Sequence, residues 1–175
     1  MVKSSKSSII FLVLASVTLF TNALPVDSTP GNEITLDNIT ICTYLPPAPG
    51  EYIAEHEDDA VPFCNTGTPP GVQGPVNIIP DGLIATAHFK AGDGYVQYTG
   101  KINPDAYKLH HDDQGGQYDS VGAPANAACM GFNKFVNIIE PADQRFCIRC
   151  CTDSSKCDTN DSTKGCPYVV PGDYS

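Results

Sequence analysis

Alternation of apolar and polar residues is clearest over Leu83–Lys90, where Leu83, Ala85, Ala87 and Phe89 fall on one side of an extended chain. A period of two marks a half-buried strand. Tyr95–Lys101 reads as its partner, with Ala91-Gly92-Asp93-Gly94 between them as a hairpin turn. Lys134–Glu140 and Arg145–Cys150 form a second strand pair around Pro141-Ala142-Asp143-Gln144. Glu33–Tyr44 is rich in β-branched residues and predicts a strand, and Val61–Phe63 a short extended piece. Pro46–Asp59 is an acidic loop, Asn65–Pro80 a Gly/Pro loop, and Asn103–Ala127 is irregular. No long helical period and no internal repeat interrupts this pattern. The expected fold is all-β or β-rich: one small disulfide-stapled sheet or barrel domain over residues 38–175, with roughly six to eight short strands and long loops.

The pattern differs before residue 38. Lys3 and Lys6 precede an apolar run, Ile9–Phe20, and Thr21-Asn22-Ala23 supplies small residues for cleavage before Leu24. Residues 1–23 therefore read as a secretory signal peptide. As a membrane anchor the run is short, and no second one follows. No ER-retention ending or GPI-type tail is present, so no membrane attachment is expected after cleavage. Residues 24–37, rich in Pro, Ser and Gly at their start, read as a flexible N-terminal segment.

Charge narrows the partners. Without Lys3 and Lys6 the mature chain has 8 basic residues against 20 acidic ones, and no Lys or Arg occurs between Leu24 and Phe89. Such a balance disfavours nucleic acid and anionic membranes, which require Lys and Arg. It suits solubility, cationic partners or divalent cations.

All eight cysteines lie in the mature part: Cys42, Cys64, Cys129, Cys147, Cys150, Cys151, Cys157 and Cys166. An even number in an exported chain implies a disulfide framework. Cys147-x-x-Cys150 has no second CxxC or His-rich partner, which argues against zinc or redox use. In an extended Phe146–Cys151, Cys147 and Cys151 share one face. Cys150 then points the other way with Phe146 and Ile148, so adjacent Cys150 and Cys151 need different partners.

Residues 78–100 resemble a block of the macrophage-activating glycoprotein family of secreted fungal proteins. The matching positions include Ile79-Pro80-Asp81-Gly82, His88-Phe89, Tyr95-Val96-Gln97 and Thr99-Gly100. Gly115-Gly116 with Asp119, Phe146-Cys147-Ile148-Arg149 with Cys151, and Cys157 with Gly165-Cys166 extend the likeness. So does Pro46-Pro47-Ala48-Pro49-Gly50 between Cys42 and Cys64. It covers roughly 40–175. The chain is shorter than the family pattern and adds Cys129 and Cys150. The resemblance implies pairing of those two extra cysteines, Cys129–Cys150, alongside Cys42–Cys64. It leaves Cys147–Cys166 and Cys151–Cys157 for the C-terminal block. It also implies a fungal, extracellular, glycosylated protein, and it carries no catalytic residues.

Glycosylation sequons stand at Asn38-Ile39-Thr40 and Asn160-Asp161-Ser162. Catalytic signatures are missing: there is no GxSxG, HExxH, P-loop or dinucleotide fingerprint. His110, His111, Asp112 and Asp113, with Asp119, form the densest polar cluster and could coordinate calcium or another cation; the bland alternative is a solvated loop. No other cofactor is implied. His88, Tyr95, Gln97 and Asp119 are candidates for a surface site if they converge on one concave face. For His88 a plain structural role is the alternative.

The function expected from these features is that of a secreted, cysteine-rich fungal glycoprotein without catalytic machinery. It would be a monomer acting at the cell wall or on a host or neighbouring organism, as an effector, elicitor or antigen. The partner would be a cell-wall polysaccharide or a host protein. The alternative is a small polysaccharide-binding or polysaccharide-active domain: Tyr95, Tyr98, Tyr107 and Tyr118 cluster centrally, although the chain has no Trp for sugar stacking.

Overall fold

The alternating stretch at residues 83–101 forms the longest hairpin of the fold in the computed structural model, which describes residues 31–121 and 124–175. β5 (Ile84–Gly92) and β6 (Tyr95–Ile102) pair antiparallel, and Gly92 opposite Tyr95 leaves Asp93-Gly94 as a two-residue turn. The second predicted pair forms β9 (Lys134–Glu140) and β10 (Arg145–Cys151), closed by the loop 141–144. β10 also pairs with β6, and β7 (Gly116–Asp119) adds to β9. The result is a five-stranded antiparallel sheet in the order β5-β6-β10-β9-β7.

Two smaller sheets complete the fold. β2 (Cys42–Leu45), β3 (Val61–Cys64) and the short β4 (Asn77–Ile78) form one; β1 (Asn32–Ile34) and β8 (Ala127–Cys129) pair parallel in the other. The fold is β-rich. The described residues hold ten strands in three sheets, more strands than expected and not one sheet or closed barrel. Among the described residues helix is confined to short 3-10 turns and to α1 (Cys166–Val169). No helix among the described residues is long and apolar enough to cross a membrane.

Three expectations need correction or bounding. The single strand over Glu33–Tyr44 is two strands with a turn between them. Asp37 causes the break, because its Oδ1 accepts from the backbone N–H groups of Ile39 (2.8 Å) and Thr40 (2.7 Å). Such local bonding competes with the sheet ladder. The flexible segment 24–37 does not extend to residue 37. Asn32–Ile34 is a strand, Ile34 and Leu36 are buried, and the Tyr44 hydroxyl donates to the Asn32 carbonyl. Apolar residues at this spacing gain more by burial than by freedom. The signal peptide at 1–23 and residues 24–30 lie outside the described residues.

Both faces of the five-stranded sheet are covered. The inner face puts Tyr98, Phe135, Ile139, Phe146, Ile148, Cys150 and Tyr118 against β2 and β3. Tyr44 stacks on Phe135 at 5.3 Å and meets Tyr118 at 6.2 Å. Such pairs add about 0.5–1.5 kcal/mol to the burial of their area. One polar bolt crosses this layer. Buried Asn137 Oδ1 accepts from the Tyr44 backbone N–H (2.8 Å) and the Thr43 hydroxyl (3.0 Å), while its Nδ2 donates to the Cys147 carbonyl (2.9 Å).

The outer face carries Val136, Ile138, Cys147 and Cys151 beneath Cys157, Cys166, Val169, Val170 and Tyr174. Disulfides join Cys42–Cys64, Cys129–Cys150, Cys147–Cys166 and Cys151–Cys157, and no described cysteine is free. Strand alternation sorts them. Cys150 bonds on the inner face to β8, and Cys147 and Cys151 bond on the outer face to the C-terminal segment.

Candidate functional site

The structure disperses the His/Asp cluster of residues 110–119. His110 stacks on Tyr52 (4.2 Å between ring centres) and donates from Nε2 to the Gly50 carbonyl (2.9 Å). His111 Nε2 turns to Asp105, 2.8 Å away. Asp113 is buried. Its Oδ2 accepts from the Ile53 N–H and its Oδ1 from the Gly115 N–H, both at 2.8 Å, so it fixes two loops. The charge of Asp112 raises the Tyr52 pKa. Asp119 sits on β7, where it accepts from Gln117 Nε2 and the Val121 N–H. No three His, Cys, Asp or Glu side chains among the described residues are set to hold a metal ion. Sequence proximity misleads here because successive loop residues point in different directions.

His88, Tyr95, Gln97 and Asp119 share the outer face of the sheet but do not converge. β10 and β9 lie between β6 and the β7 strand of Asp119. The other three face the C-terminal segment. Gln97, 0% exposed, donates to the Pro171 carbonyl (3.1 Å), and the Thr99 hydroxyl donates to the Asp173 carbonyl (2.7 Å). His88 Nδ1 is 3.6 Å from Asp173 Oδ2, and its Nε2 reaches the Ser175 carbonyl oxygen at 3.3 Å. Gly172 permits the approach, since a Cβ there would meet Thr99 Oγ1 at 2.6 Å. Arg149 lies 4.5 Å above the Tyr95 ring and donates through Nε and Nη2 to Gln97 Oε1. Burial lowers its pKa. His88, Gln97 and Thr99 thus bond the protein's own C-terminal segment and, with Lys90 and Asp173, line a smaller cleft of about 330 Å³ beside it.

The sheet's other end is arranged differently. Pairing of β9 with β10 sets Glu140 directly opposite Arg145, a cross-strand arrangement that favours opposite charges. Together they floor a cleft of about 510 Å³. Gln114, Gly115 and Gly116 enter from the start of β7, Glu57 from the acidic loop, Asp143 from the hairpin loop, and Thr163, Lys164 and Gly165 from the segment before α1; Ile138 is the apolar lining residue. Glu140 is 7% exposed. Its Oε2 accepts from Arg145 Nε (3.2 Å) and the Cys166 N–H (3.4 Å). Burial raises the Glu140 pKa, and the neighbouring Arg145 charge and the Cys166 N–H oppose that rise. Arg145 also donates from Nη2 to Asp143. Glu57 Oε1 accepts from the Gln117 N–H at 3.1 Å, and Lys164 bonds Asp161 (2.8 Å) and the Tyr168 hydroxyl (3.2 Å).

A buried carboxyl with a displaced pKa in a polar cleft is a recognised mark of a functional site. Sequence reasoning missed this one. Its residues come from five separate stretches of chain, and only Glu140 and Arg145, facing each other across a hairpin, left a readable signal.

Comparison with known proteins gives one finding. The chain is 30% identical over 152 residues to the "Appressorium protein ROW1" of Mycosarcoma maydis, covering 73% of this chain and 34% of that one. It thus spans about a third of that relative's length. No protein-family model matches the chain, and no solved structure does.

Proposed function

We propose that the protein works outside the fungal cell as a disulfide-locked, non-catalytic binding protein of the effector type, at the cell wall or on another organism's surface. One observation carries the reading: all eight cysteines are in disulfides, two buried within the inner apolar layer and two within the outer one. Such a framework persists in oxidising compartments and is rare in the cytosol. The leader at residues 1–23 and the similarity to a fungal appressorium protein support the same compartment. The likeness to macrophage-activating glycoproteins agrees with it. Glycans would sit at Asn38, exposed in the Asp37 turn, and at exposed Asn160.

Each of the four histidines has a partner within the protein. His56 faces Glu51 and Asp59, His88 faces Asp173, His110 is stacked on Tyr52, and His111 faces Asp105.

Tagged protein expressed in the fungus tests the reading. The expected outcome is recovery from the culture medium or wall fraction, with an N-terminus at Leu24 and slower migration before than after N-glycan removal. Recovery from the cytosol with the leader attached would overturn it.

A further inference from the structure

We propose that the cleft floored by Glu140 and Arg145 binds a neutral saccharide through two neighbouring hydroxyl groups, one donating to Glu140 Oε1 and the other accepting from Arg145. Glu140 is 7% exposed, and both donors that reach it go to Oε2. Among the described residues no donor reaches Oε1, although Glu140 lines the cleft. Among the described residues Gln117 Oε1 is the buried side-chain oxygen without a partner; Glu140 Oε1 is not, so it keeps contact with the water of the cleft and stands as an open acceptor for a ligand hydroxyl. Arg145 uses Nε toward Glu140 and Nη2 toward Asp143, so the N–H groups of Nη1 remain for a ligand.

The lining selects the ligand class. Three carboxylates, Glu57, Glu140 and Asp143, face two cations, Arg145 and Lys164, so the charges of the lining nearly cancel and favour a neutral ligand over an anion or a cation. Ile138 alone offers little to an apolar molecule. A sugar diol both donates and accepts, so it matches adjacent acceptor and donor without a net charge. Gly165 shapes the wall at this point. A Cβ there would come within 2.3 Å of Glu140 Oε1, and its φ of +72° suits glycine. The volume of about 510 Å³ falls in the range of small-molecule sites.

The inference rests on the extracellular reading only in that wall and host-surface saccharides are met outside the cell. Its test uses the disulfide-intact secreted protein, titrated calorimetrically with hexasaccharides of β-1,3-glucan, cellulose, chitin and mannan. At least one should bind with Kd below about 1 mM. Glu140→Gln and Gln114→Trp should each weaken that binding roughly tenfold or more, about 1.4 kcal/mol. The second variant fills the cleft from an exposed position, so it needs no change in the buried pair. His88→Ala, on the face covered by the C-terminal segment, should bind as the parent does. Absence of binding, binding that survives either cleft variant, or loss in His88→Ala would overturn the site. A failed titration of protein collected from the medium would still leave the extracellular reading standing.

Discussion

The two faces of the five-stranded sheet are held by different forces. Inside, Tyr44, Tyr118, Phe135 and Phe146 are all fully buried and pack with Ile139, Ile148 and β2 and β3. Outside, the contact is made by valines, one isoleucine, Tyr95, Tyr174 and four cysteines. The inner layer coheres through apolar area. The outer layer has less of it, and two covalent bonds and the polar bonds of residues 171–175 hold the C-terminal segment in place. Stability and site construction are thus divided. The inner layer supports the fold, and the outer segment brings Thr163, Lys164 and Gly165 to the cleft.

Removing the centre of the inner layer should cost most. Phe135→Ala should lower unfolding free energy by about 3–5 kcal/mol in urea, as one cooperative transition. An outer break should be next and local. Cys147→Ala with Cys166→Ala should lose about 3 kcal/mol, with limited proteolysis cutting first after residue 152. Simultaneous loss of both layers in that variant would break the contrast. Asn137→Ala should cost about 2 kcal/mol by orphaning the buried Tyr44 N–H and removing the side-chain bond to the Cys147 carbonyl, measured the same way.

The smallest effect is a pH slope. Burial raises the folded Glu140 pKa above the ordinary 4.5, so the folded state holds a proton that the unfolded chain has released. Stability should therefore fall as pH rises from about 4.5 through the raised value, and Glu140→Gln should flatten that slope in a series of urea titrations.

Much of the fold was legible. Period-two alternation located the first hairpin, the apolar stretches around Pro141-Ala142-Asp143-Gln144 the second, and the alternation of Cys147, Cys150 and Cys151 assigned them to opposite faces. The split at Asp37 was not, because a side-chain bond to Ile39 and Thr40 overrides the β-branched pattern around it. β7 was missed because Gly116-Gln117-Tyr118-Asp119 has no alternating signature of its own and pairs only because β9 offers an edge. The cleft was the least legible part. Glu57, Gln114, Glu140 and Lys164 are far apart in sequence, and only the tertiary fold brings them together.

The division into two layers is tested most directly by mapping disulfide-linked peptides of the purified protein without reduction. The account predicts a Cys129–Cys150 peptide, with Cys147 and Cys151 linked only to Cys166 and Cys157, and no free thiol. Cys150 linked to Cys157 or Cys166 would contradict it, because one strand would then send neighbouring cysteines to the same side of the sheet.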